Sequence, residues 1–324
     1  MRRAPGLLSV TIVACILCRM KKYTLPHLKL GSTSFLIPAS FAAGFRFAAE
    51  RCEDVSLLLL TMGNNGEYLI KPDEVREIAR IIDGEGVTVN IHLPTDAGFD
   101  TPEDARMMVR HVAMAMDRTA LLQPHTFVLH INFPRLEHVL LGANPKRLRV
   151  TSEQKRFVHA ALRDISALLP APETLAVENL ENFPPGLWDE WLKNTPYSRC
   201  MDVGHIWKDG WDPAPLLETW LPRTRIIHLH GLESRHGHAL PKGIAERILP
   251  RTGIRARTAE LFSPLPQDHR SLRFIPPEWV DTVLHTLWRE HFSGVLNLEM
   301  FSMEDFEISY SLIMKSWERY QALT

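Results

Sequence analysis

The chemistry-bearing residues of this chain are imidazoles and carboxylates that close apolar runs. Cys200-Met201-Asp202-Val203-Gly204-His205 sets an Asp and a His three residues apart, where an apolar stretch opens into a polar loop. A hard carboxylate oxygen and an imidazole nitrogen can converge on one divalent cation. Alone, the pair is weak, since a capping Asp beside an ordinary hydrogen-bonded His reads the same way. Repetition changes its weight. His92 stands in Ile91-His92-Leu93-Pro94, His130 in Leu129-His130-Ile131-Asn132, and Glu178 in Val177-Glu178-Asn179-Leu180. Beyond Asp202 and His205 come His228 and His230 in Ile227-His228-Leu229-His230-Gly231, then Asp268-His269, then Glu299 in Leu298-Glu299-Met300-Phe301. Six successive apolar runs each end in a metal-competent residue. Burying so many ionisable groups together is costly without a compensating charge, which divalent ions supply.

The elements that must position these groups alternate. Apolar runs predict buried strands at 30–38, 55–62, 87–94, 126–134, 174–180, 200–207, 225–232 and 294–301. Amphipathic stretches between them predict helices at 41–51, 72–83, 102–122, 152–169, 187–193, 213–220, 277–292 and 303–320. Near-continuous apolar character, rather than alternation, fits a parallel sheet buried on both faces. Thr101-Pro102-Glu103-Asp104 and Thr151-Ser152-Glu153 are helix starts with acidic groups at the positive end. Eight strands alternating with eight helices predict an α/β fold, a closed (β/α)8 TIM barrel. The alternative, a doubly wound open sheet, lacks its glycine-rich turn, because the first strand ends in Leu36-Ile37-Pro38. In a barrel, the C-terminal strand ends share one mouth, and the donors would gather there.

The 324 residues carry 45% apolar and 23% charged side chains and a net charge of −1, ordinary for a globular protein with a large core. This balance does not favour nucleic acid as a partner. Four cysteines make neither a zinc ribbon nor a disulfide framework: Cys15 and Cys18 lie in an apolar N-terminal run, and Cys52 and Cys200 read as buried thiols. Residues 1–27 predict a leader, disordered, signal-like or resembling a lipobox at Ile12-Val13-Ala14-Cys15. The apolar run is too short for a stable membrane span, and Arg19, Lys21 and Lys22 follow it directly. The expected location is therefore cytoplasmic, with export or lipid anchoring through the leader as the alternative. Residues 28–324 form the expected single domain, broken by a long insertion at 231–266. Between Gly231 and Arg257, six basic residues stand against Glu233 and Glu246, a local positive excess suited to phosphate at the barrel mouth or to a solvated excursion.

The order His92, His130, Glu178, Asp202-x-x-His205, His228, Asp268-His269, Glu299 resembles the xylose isomerase-like superfamily that includes the AP endonuclease 2 enzymes. In those endonucleases, equivalent groups hold a trinuclear zinc cluster. The resemblance implies metal ligation by His92, His130, Glu178, Asp202, His205, His228, Asp268 and Glu299. That family's closing Asp-x-His is absent, since His269 follows Asp268 directly and Arg270 takes the expected place. A narrower resemblance rests on Leu30-Gly31-Ser32-Thr33-Ser34-Phe35-Leu36-Ile37-Pro38, His92-Leu93-Pro94-Thr95-Asp96, Met201-Asp202-Val203-Gly204-His205, His228-Leu229-His230-Gly231 and Asp268-His269-Arg270-Ser271-Leu272. Together these are similar to the cobamide-remodelling hydrolases (CbiR type), which cleave the phosphoester-linked nucleotide loop of vitamin B12-like cofactors. The 231–266 insertion departs from that compact pattern.

The resemblance implies a metal-dependent hydrolase acting on a small-molecule cobamide or corrinoid, with Glu178, Asp202, His205 and Glu299 as catalytic groups. Divalent ions are expected as cofactors, zinc first, with manganese, iron or cobalt compatible with the same donors. His230, His269 and Arg270 are expected to steady phosphate oxygens, and Trp207 to offer a flat face to the macrocycle. Three rival functions share the barrel: abasic-site endonuclease, non-catalytic corrinoid binder, and sugar isomerase or epimerase. The last needs a single ion held by Glu178, Asp202, His228 and Glu299. The surplus of His92, His130, His205 and His269 is the reason for preferring a multi-metal hydrolase.

Overall fold

Apolar runs bounded by turn residues become short strands, and the amphipathic stretches become helices that cover them. The computed structural model describes residues 22–63, 65–134, 149–233 and 267–324. In chain order the strands are β1 (Lys29–Thr33), β2 (Asp54–Leu58), β3 (Thr88–His92), β4 (Thr126–His130), β5 (Leu175–Glu178), β6 (Ser198–Asp202), β7 (Thr224–Leu229), β8 (Gly231–Glu233), β9 (Gln267–Arg270) and β10 (Val295–Leu298). The helices are α1 (Phe41–Ala49), α2 (Pro72–Glu85), α3 (Pro102–Thr119), α4 (Ser152–Ser166), α5 (Pro185–Leu192), α6 (Val203–Lys208), α7 (Ala214–Trp220), α8 (Pro277–Arg289) and α9 (Met303–Gln321). Strands β1–β7 and β10 close into a barrel in which every pairing is parallel. The ring is sealed where Lys29 of β1 stands opposite Val295 of β10.

Local chemistry fixes the helix starts. Thr101 accepts the Asp104 N–H, Thr151 and Gln154 form a reciprocal capping box, and Ser302 accepts the Asp305 N–H. The helices pack outside the barrel and bury one large apolar shell with the outward faces of the strands. A second cluster, Val128, Ala176, Cys200, Ile226 and Val295, is separate from that shell and fills the barrel interior. Side chains repeat every two residues along a strand, so two positions beyond Val128, Ala176, Cys200 and Ile226 come His130, Glu178, Asp202 and His228. The same parity that packs the interior aims these four groups inward at the mouth.

Three expectations need correction. The run 200–207 is not one strand: β6 stops at Asp202 and α6 starts at Val203, because Asp202 Oδ1 accepts the His205 N–H at 2.6 Å and caps the helix. The run 225–232 is not one strand either: β7 ends at Leu229, and β8 pairs antiparallel with β9 outside the barrel. Local patterning could not reveal that pair, whose partners lie on either side of the insertion. Residues 22–27 do not behave as leader: Tyr23 N donates to Arg51 O, Trp288 Nε1 to Pro26 O, and Leu25 is buried. The rest of the leader, with Cys15 and Cys18, and the charged insertion at 234–266 lie outside the described residues.

Candidate metal centre

The donors from β3 to β7 and from the end of β10 meet at one mouth, beside a cavity of about 350 Å³. His92 Nδ1 lies 3.1 Å from Leu93 O, which can only accept, so Nδ1 donates there and Nε2 is turned inward. That Nε2 is 3.1 Å from His130 Nε2 and 3.4 Å from Glu178 Oε2, and His130 Nε2 is 3.0 Å from the same oxygen. The other oxygen, Glu178 Oε1, is 3.1 Å from His228 Nδ1, which is also 3.1 Å from Glu299 Oε2 and 3.9 Å from Asp202 Oδ2. Glu178 therefore stands between two donor groups, His92–His130–Glu178 and Glu178–Asp202–His228–Glu299, each with its ligand atoms within 4.8 Å of one another. A tetrahedral shell with bonds of ~2.0–2.1 Å has donor–donor edges of about 3.3 Å, so these separations suit a divalent ion.

The hydrogen bonding agrees with that reading. Asp202 Oδ2, His205 Nδ1 and His230 Nε2 are buried without a hydrogen-bond partner. Yet His230 Nε2 lies 3.3 Å from Asp202 Oδ2, and His205 Nδ1 lies 3.0 Å from Glu181 Oε2. Atoms so close but misaligned for hydrogen bonding are arranged as ligands of a shared point are. Asp202, His205 and His230 form a further group of this kind, and His230, His269 and Glu299 another.

The rim is an acidic field balanced by imidazoles. Burial alone would raise the Glu178 carboxyl, but His228 and His130 hold it well below the carboxylate range. Glu299 is likewise lowered against its own burial, chiefly by His228. Burial disfavours charge on His228 and His205, yet neighbouring carboxylates and, for His228, the Cys200 thiol carry both well above the ordinary imidazole value. His269 is lowered, first by burial and then by His230.

Supporting groups fix these ligands. Asn179 donates from Nδ2 to Asp202 O at 2.8 Å and accepts the Asp202 N–H at 2.9 Å. His269 lies in the left-handed region at φ 55°, donates its backbone N–H to His230 Nδ1 at 3.1 Å, and directs Nδ1 at Glu299 O. Its ring rests on Phe301, which is 44% exposed at the cavity edge.

Of the residues singled out from sequence, His92, His130, Glu178, Asp202, His205, His228, His230, His269 and Glu299 come together. Asp268 reaches the cavity wall but is paired with Lys208. Two do not fit their expected roles. Trp207 is only 4% exposed and packs within the apolar shell, because α6 turns it inward, so it offers no face to a ligand. Arg270 is drawn to Glu233 at 3.1 Å and Asp305 at 3.4 Å, outside the cavity lining. Sequence reasoning missed Asn179, Glu181, Lys208 and Phe301. Asn179 and Glu181 flank the end of β5 and read as ordinary loop residues without the contacts that employ them.

No protein-family model matches the chain, and no curated sequence matches it. Solved structures do. A D-tagatose 3-epimerase-like protein superposes with a TM-score of 0.63 at 16% identity, covering 91% of this chain and 99% of the other. A xylose isomerase domain protein from Planctomyces limnophilus gives 0.61 at 12% identity, covering 92% and 99%. The shared fold is a closed (β/α)8 barrel. A third structure, the IolI protein with a bound zinc atom, gives 0.58 at 12% identity over 91% and 96% of the two chains. At these identities the likeness concerns the barrel fold alone and leaves the reaction to the site itself.

Proposed function

We propose that the protein is a metal-dependent enzyme that hydrolyses a phosphodiester, with the nucleotide loop of a cobamide as its substrate. One observation carries the two-ion requirement: the two oxygens of Glu178 face different donor groups, Oε2 toward His92 and His130, Oε1 toward His228. Such a carboxylate suits a pair of adjacent cations, an arrangement that clamps the attacking and leaving oxygens in two-metal displacement at phosphorus. His92 and His130 would hold one ion with Glu178; Asp202, His228 and Glu299 would hold the other. Divalent ions held there supply Lewis acidity toward phosphoryl oxygens. The chain's own groups do the positioning. Asn132 and Asn182 line the cavity and carry amide N–H groups suited to phosphate or sugar oxygens, while Leu60, Leu180 and Phe301 supply apolar walls. The cavity is at the small end for ligand sites, so a nucleotide loop would enter while a corrin ring stayed outside. The cobamide assignment rests on the sequence motifs alone.

A second reading has its own support. Glu178, Asp202, His228 and Glu299 make a self-sufficient single-ion set. The structural neighbours also include a D-tagatose 3-epimerase-like protein, an L-ribulose 3-epimerase and a 3-keto-D-glucoside 4-epimerase, so known proteins of this shape favour a sugar isomerase or epimerase over a hydrolase. Elemental analysis separates the two: two ions per chain are expected for the hydrolase and one for the isomerase. Purified protein is then incubated in parallel with a cobamide, a ketohexose and an abasic-site oligonucleotide. Release of the cobamide's nucleotide portion is the expected result; epimerised sugar with intact cobamide overturns it. In Glu178→Gln, activity should fall below detection and zinc content should drop, with the circular dichroism spectrum unchanged.

A further inference from the structure

Beside the proposed ion pair lies a cation that the chain provides for itself. Lys208 ends α6, and its Nζ donates to Glu181 Oε1 at 2.8 Å and to Asp268 Oδ2 on β9. Glu181 turns its other oxygen to His205 Nδ1 at 3.0 Å. The result is a chain of contacts, Asp268–Lys208–Glu181–His205, drawn from β9, α6 and the segment after β5. Asp268, Glu181 and His205 all reach the cavity wall. Two carboxylates and an imidazole from three elements are a donor set for a divalent ion, but the ammonium already lies between the two carboxylates. Arg270, two residues beyond Asp268, is committed to Glu233 and Asp305 and adds no ligand. The Lys208 and Glu181 side chains are 15% and 26% exposed, so neither exchanges its partner for water without loss.

We propose that Lys208 is a built-in monovalent cation that fills the place a further divalent ion would take between Asp268 and Glu181. An ammonium is a compact point charge with three donors, enough to hold both carboxylates. A divalent ion at the same spot would have to displace it against direct charge repulsion. Lys208 is thus a positioning residue that fixes Asp268 and Glu181 on the cavity wall.

The proposal rests on the two-ion reading above, and the test keeps the two apart. The full-length protein and its Lys208→Met variant are saturated with zinc alone, freed of excess and analysed for zinc per chain, with cobalt(II) absorption as a second readout. The unsubstituted protein is expected to hold two equivalents and Lys208→Met three, the extra one lost again when Asp268→Asn is added. A baseline of one overturns the two-ion reading, while the increment in Lys208→Met still decides the role of Lys208. Three equivalents in the unsubstituted protein, or no gain in a folded Lys208→Met, overturns the inference. Should Lys208→Met fail to fold, Asp268→Asn alone decides: unchanged zinc content upholds the inference, and loss of one equivalent overturns it.

Discussion

Asp202 shows how much one side chain is asked to do at the mouth. Its Oδ1 caps α6 through the His205 N–H, which leaves Oδ2 without a hydrogen bond and directed at the ligand cluster. Its backbone is held on both sides by the Asn179 amide. Groups that orient a ligand are worth about 10–100-fold in metal affinity. Asn179→Ala should therefore weaken zinc binding by that factor in competition with a chromophoric chelator; unchanged affinity would deny Asn179 this role. At this scale the sequence was legible wherever chemistry repeats, because His92, His130, Glu178, Asp202, His228 and Glu299 all close apolar runs. It was opaque wherever function depends on a contact. Glu181 and Lys208 read as solvated charges until β5 and α6 bring them to within 2.8 Å. Trp207 misled for the opposite reason: its proximity to Asp202 in sequence says nothing of which way a helix turns it.

Between β6 and α6 the geometry leaves no slack. A Cβ on Gly204 would collide with the His230 ring, which is fully buried. Gly204→Ala must therefore move His230 away from Asp202. The expected cost is about 1–3 kcal/mol by chemical denaturation, as for other overpacked cores, together with weaker zinc binding. Further along this segment, burial pushes the Asp209 carboxyl up to about 7, against the N–H it accepts from Asn182. The folded state keeps this proton between roughly pH 4, where the unfolded carboxyl ionises, and about 7, so stability falls as pH rises through that window. Asp209→Asn should flatten the decline in melting temperature across it; an unaltered slope would place the titration elsewhere. The alternation of strands and helices was legible because each carries its own period and caps. The end of β6 and the β8–β9 pair were not, since one depends on a side chain's hydrogen bond and the other on residues far apart in sequence.

At the scale of the molecule, the barrel separates stability from chemistry along its axis. At the end away from the mouth, Asp54 is fully buried and accepts from Asn90 Nδ2 at 2.7 Å and from Thr88, with His125 Nε2 2.7 Å away. Asp54→Ala strands these donors and should cost about 3 kcal/mol in denaturant unfolding while zinc content stays unchanged. A change in zinc content would show the two ends to be coupled. The ring was legible as a count of eight, but its seam between β1 and β10 has a consequence for biogenesis. His92, His130 and Glu178 sit on three adjacent strands, the third to the fifth of eight, whereas the second donor group must wait for Glu299, just past the last strand to be synthesised. The donors of the first group are thus encoded well before those of the second, which is complete only once β10 has closed the ring.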